Sequence, residues 1–148
     1  MKRSFIKSWR SPAVLGMLAT VAPAFAGEAP LPPEQHSGAV SYVSGGVGEQ
    51  QAKMFENQMG KFDLAIEVLE RTGRRNEFTA NAEVKILDKH GHAILDTKAA
   101  GPFMLVDLPP GKYSVEADLA GHSVKRSAIQ IAAGHHAVAK LEFPSGTD

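Results

Sequence analysis

Between Lys61 and Phe143 apolar and polar residues exchange at a period of two, in one short run after another. Successive side chains of a strand point to opposite faces, so this pattern describes strands that each bury one side. "KFDLAIEVLE" sets Phe62, Leu64, Ile66 and Val68 against Asp63 and Glu67, and "AEVKILD" repeats the pattern with Ala82, Val84 and Ile86. The exit "DKHGHAIL" puts Gly91 where a hairpin needs positive φ. "GPFMLV" is a nearly continuous apolar run, which suits a central strand. In "LPPGKYSVEADLAG", Pro110-Gly111 is a type II turn signal before a strand that buries Tyr113, Val115, Ala117 and Leu119.

"HSVKRSAIQIA" and "HAVAKLEF", joined through Gly134, complete the set. Val124 is out of phase with Ile129 and Ile131, so a bulge or bend is expected near Arg126. Ala137, Ala139, Leu141 and Phe143 share a face. Seven short strands at this spacing predict an all-β chain, a seven-stranded antiparallel β-sandwich over residues 61–143, with residues 144–148 as a tail.

Before the strands the pattern differs. Residues 1–26, "MKRSFIKSWRSPAVLGMLATVAPAFA", carry Lys2, Arg3, Lys7 and Arg10, then an apolar run, then Ala24-Phe25-Ala26. Those are the three parts of a signal peptide, and the apolar run is shorter than the roughly 20 residues a membrane-spanning helix needs. Export to the periplasm or outside the cell is expected, without a stable membrane anchor after cleavage. With no cysteine anywhere in the chain, neither a disulfide nor a lipid attached to cysteine is available, and the core alone must provide stability. Loss of the four basic residues of this segment leaves twelve Lys and Arg against sixteen Asp and Glu, about −4. A mildly acidic product without a clustered basic face argues against nucleic acid.

Residues 27–40, "GEAPLPPEQHSGAV", read as a flexible leader. Residues 41–60 hold a glycine-rich turn and one short helix, "EQQAKMFENQMG", with Ala52, Phe55 and Met59 on one face and Gly60 closing it. A helix this short is marginal alone and must dock, either on its own domain or on a partner. "SGGVGEQQ" resembles a phosphate loop only in its glycines: Gly48 is followed by Glu49 and Gln50, where a phosphate site needs Lys and a hydroxyl.

The sequence F-x-L-x-x-L-P-P-G-x-Y-x-V, carried by Phe103, Leu105, Leu108, Pro109, Pro110, Gly111, Tyr113 and Val115 and closed by Gly121, resembles the signature of carboxypeptidase regulatory-like domains. With "YVSGGVGE" and the helix ahead of it, the likeness to small secreted bacterial proteins of that description covers residues 42–143. The resemblance implies a transthyretin-like sandwich and imports no catalytic residue.

Chemistry in the residues is sparse. None of the six histidines has Glu three positions later, and G-x-S-x-G is absent. The expectation is therefore a non-enzymatic protein without a cofactor that binds or supports an envelope protein, by strand addition or through its helix. The alternative is periplasmic copper or zinc binding through turn histidines, with His90 and His92 flanking Gly91 and His122 as third ligand. Export predicts cleavage after Ala26, so intact-mass analysis of the envelope fraction should find Gly27 at the N-terminus; full-length protein confined to the cytoplasm would refute it.

Overall fold

The computed structural model describes residues 30–147, so the expected signal peptide at 1–26 lies outside the described residues. The chain runs β1 (Gln35–Ser37), β2 (Val40–Gly45), α1 (Glu49–Gln58), β3 (Leu64–Thr72), β4 (Arg75–Phe78), β5 (Glu83–Leu87), β6 (Ala93–Lys98), β7 (Phe103–Asp107), β8 (Gly111–Leu119), β9 (His122–Ile131) and β10 (Ala137–Phe143). The all-β expectation holds, with two sheets and one short helix. One sheet has the order β1-β2-β7-β3-β10 with β4 pairing β3, and the other the order β6-β5-β8-β9.

Among the described residues ten strands stand where the alternation suggested seven. The additional three are β1, β2 and β4. β1 lies in the stretch read as a flexible leader, and β2 takes up "VSYVSG", the front of the glycine-rich stretch. β4 is the exposed "RNEF", whose pairing with the end of β3 needs no buried face and therefore leaves no alternation. Pairing is also not wholly antiparallel: β10 runs parallel to β3, from Ala137 opposite Leu64 to Phe143 opposite Glu70.

The inward faces follow the period-two reading. Leu64, Ile66 and Val68 of β3 share one buried cluster with Ala82, Val84 and Ile86, with Tyr113, Val115, Ala117 and Leu119 of β8, and with Ala139, Leu141 and Phe143 of β10. The phase break in β9 is a bulge. Tyr113 pairs Ile129 while Val115 pairs Arg126, so two residues of β9 answer one of β8, and Ala128 takes φ 57°. Gly91 has the positive φ that the hairpin required.

The outer face of the larger sheet is buried too. Val43, Ala65, Phe103 and Leu105 form a second cluster with Phe55 of α1, against which Ala52 and Met59 pack. Phe55 is fully buried, and its ring stacks on Phe103 at 5.8 Å. The helix thus docks on its own domain. Burial on both sides also explains why β7 is apolar without a break from Phe103 to Val106, and why it is central, between β2 and β3.

Three local expectations are corrected. Gly60 does not end the helix; a 3-10 turn at Met59–Lys61 carries the chain on to β3. Phe62 therefore precedes β3 and packs against the outer cluster and not with Leu64 and Ile66. Gly111 does not have positive φ: it opens β8 in register with Ile131, so the Pro-Pro-Gly segment is not the expected type II turn.

Glycine is required elsewhere. A Cβ on Gly101 would lie 2.3 Å from the carbonyl oxygen of Gly45, whereas on Gly111 its nearest neighbour is the Tyr113 ring at 3.6 Å. Gly101→Ala should cost about 1–3 kcal/mol or more, because two backbones must separate, while Gly111→Ala should stay within about 1 kcal/mol of the parent. Urea denaturation measures both; equal losses would contradict this packing.

Candidate functional site

Three consecutive features follow from the docking of α1. β2 ends at Gly45, where the ring of Phe55 would come within 3.0 Å of a Cβ. Gly46 turns the chain with φ 96°, and a Cβ there would meet the Phe103 ring at 2.4 Å. The chain then passes Val47 and Gly48 into α1, leaving an open groove of about 400 Å³ between the glycine loop, the start of α1 and the end of β4.

The groove is apolar where it is deepest in contact with the outer cluster. Phe78, at the end of β4, lays its ring against Phe103 at 4.7 Å, yet the residue remains 47 % exposed. Val47, which also lines the groove, is 63 % exposed. Pro102 and Ala80 add to its apolar lining, and Glu49, Lys53 and Glu56 of α1 supply the charged part. The Lys53 ammonium is already paired with Glu49 at 2.7 Å.

The glycine loop itself does not offer its amides to a phosphate. Gln51 Oε1 accepts hydrogen bonds from the backbone N–H of both Gly46 and Val47, at 2.9 Å each. The side chain of α1 thereby occupies the position an anion would need, and Glu49 places a carboxylate in the first helical turn.

The histidines are dispersed. His90 and His92 share the β5–β6 hairpin, where Asp88 Oδ1 accepts both of their backbone N–H groups at 2.8 and 3.0 Å, and their rings lie 6.2 Å apart. His122 opens β9 opposite Leu119, whereas that hairpin follows Leu87, which pairs Ser114. Five residues of β8 between those partners amount to about 17 Å. Among the described residues no group of three or more His, Cys, Asp or Glu is placed to hold a metal ion.

Charge perturbations concentrate away from the groove. The Asp88 carboxyl is held below its ordinary value by the His92 N–H above all, against a smaller effect of burial. Asp107, at the end of β7, is pushed up by burial, then by the Asp63 carboxylate and Glu34, while an N–H of Asp63 acts the other way. Asp63 meanwhile accepts the Leu108 N–H at 2.9 Å.

Val47 and Phe78 were not legible as site residues. Each stands in a short stretch without periodicity, and only their exposure beside a buried cluster distinguishes them. Comparison with protein-family models, curated proteins and solved structures finds no match to the chain.

The raised Asp107 carboxyl has a definite pH signature. Its ionised form is the one disfavoured in the fold, so the penalty is present above the raised value and vanishes below the ordinary 3.8. Asp107→Asn should therefore raise the melting temperature at pH 7, with the difference closing as pH falls through that window. Thermal melts of both proteins from pH 7 to 3 check this; a gain that persists at pH 3 would refute the assignment.

Proposed function

We propose that the protein is an exported, non-enzymatic binding module of the periplasm or envelope, and that its groove takes an apolar anchor flanked by basic side chains from another protein. The observation that carries this reading is the half-exposed ring of Phe78, seated on Phe103, in a groove that exposed Val47 also lines. Such a pair, continuous with buried apolar residues beneath it, is what an incoming side chain can extend.

The rim selects the partner's charge. Glu49 and Glu56 line the groove against one cation, Lys53, which pairs with Glu49, so the wall keeps an excess of negative charge at Glu56. Basic residues beside the anchor therefore meet an acidic border, which steers encounter and register more than it adds affinity. The exported location rests on residues 1–26. A transthyretin-like, carboxypeptidase regulatory-like assignment belongs to the same reading. It is supported by the β7–β8 segment that carries its signature, where the Tyr113 hydroxyl donates to the Pro109 carbonyl at 2.6 Å.

Screening the purified chain against a displayed library of random ten-residue peptides tests the groove. Peptides with a large apolar residue flanked by Lys or Arg should be enriched, and Phe78→Ser should weaken them at least tenfold, about 1.4 kcal/mol. No enrichment, or enrichment indifferent to Phe78→Ser, would overturn the reading.

A further inference from the structure

At the opposite end of β2 from the groove lies a second cavity, of about 480 Å³, between the β1–β2 turn and the β5–β6 hairpin. Val40, Ile94, Pro109 and Tyr113 give it apolar sides, and Asp88 sets a carboxylate in the wall. We propose that this cavity receives a primary ammonium group carried on a short apolar stem, with Asp88 Oδ2 and the Tyr113 hydroxyl oxygen as acceptors.

The hydrogen bonding of Asp88 leaves one oxygen for such a group. Oδ1 is committed to the N–H groups of His90 and His92. Oδ2 lies 3.8 Å from His92 Nδ1, beyond hydrogen-bond reach, and accepts no hydrogen bond among the described residues. The Tyr113 hydroxyl spends its proton on the Pro109 carbonyl at 2.6 Å, so only its lone pairs remain for a ligand. The Asp88 and Tyr113 oxygens are acceptors, and the Ser37 hydroxyl that also lines the cavity can accept as well as donate, so the three suit a donor that is all proton, as an ammonium is.

Charge and geometry narrow the class. Burial, followed by the fields of Asp88 and Asp63, pushes the Tyr113 hydroxyl up, and those two carboxylates disfavour an anion beside it. A guanidinium binds a carboxylate best through two parallel hydrogen bonds to both oxygens, and Oδ1 is already taken by two amides. A compact ammonium needs only one oxygen. The apolar sides then cover the stem, as they would cover an alkylamine or the side chain of a lysine.

Titration of the isotopically labelled chain with n-pentylamine at pH 7, followed by amide chemical shifts, tests the site. Saturable shifts confined to Val40, Asp88, Ile94 and Tyr113 are expected for the ammonium, with at least tenfold weaker responses to n-pentanol, pentanoate and n-butylguanidine. N-acetyl-lysine methylamide distinguishes the two sources: tighter binding than pentylamine identifies a protein side chain, weaker binding a free amine. Asp88→Asn keeps an oxygen for the hairpin amides and should weaken binding at least tenfold, and Tyr113→Phe should weaken it further. Equal responses to amine and alcohol, absence of saturation, or binding unchanged in folded Asp88→Asn would overturn the proposal; if that variant does not fold, the ligand series alone decides.

Discussion

The contact on which the arrangement of this protein depends is the stack of Phe55 on Phe103. The larger sheet is apolar on both faces at its centre, so part of its apolar surface points away from the other sheet. Left in water, that outer face would forgo roughly 25 cal/mol for each Å² of apolar area. A ten-residue helix too short to persist alone covers it, and is in turn held by it. Each element supplies what the other lacks.

That close fit dictates the backbone around it. The aromatic rings occupy the volume that side chains at Gly45 and Gly46 would fill, and Gly101 brings its backbone against Gly45. What looks in the sequence like a flexible or ligand-binding glycine loop is thus a packing requirement, closed by Gln51 onto its own amides. The same fit ends before β4 does, leaving Phe78 covered on one side only. The groove is the margin of the helix-covered cluster, and the ammonium cavity is the corresponding margin of the inner core at the other end of β2.

Without cysteines, cohesion rests on these two clusters. Apart from Lys140 with the largely buried Glu67, the ion pairs are surface features: Lys85 with Asp96, Lys125 with Glu116 and Arg71 with Glu142 all involve exposed or half-exposed partners, for which contributions of about 0–1 kcal/mol are usual. Their more evident effect is on sheet edges. β9 is bent by its bulge, and the Arg126 guanidinium reaches across to the Lys140 carbonyl, occupying backbone that another strand could otherwise use.

The alternation from Leu64 to Phe143 determined the inner core almost residue by residue, because the period of a strand is a local property and the inner cluster lies on one face of each. It also called for a bulge or bend near Arg126, and the helical spacing ahead of it put Ala52, Phe55 and Met59 on one face. Tertiary structure alone decided the rest. Whether β10 lies parallel to β3 depends on which strands neighbour one another across 70 residues of chain, which no local period records. Exposed β4 and the three-residue β1 are strands only because β3 and β2 offer them an edge. Gly111, read as a turn residue from Pro-Pro-Gly, was claimed by pairing with Ile131, since a ladder hydrogen-bonds the backbone whatever turn the local sequence prefers. The groove and the cavity arise where distant elements stop covering one another, and that boundary is set by the packing of whole sheets.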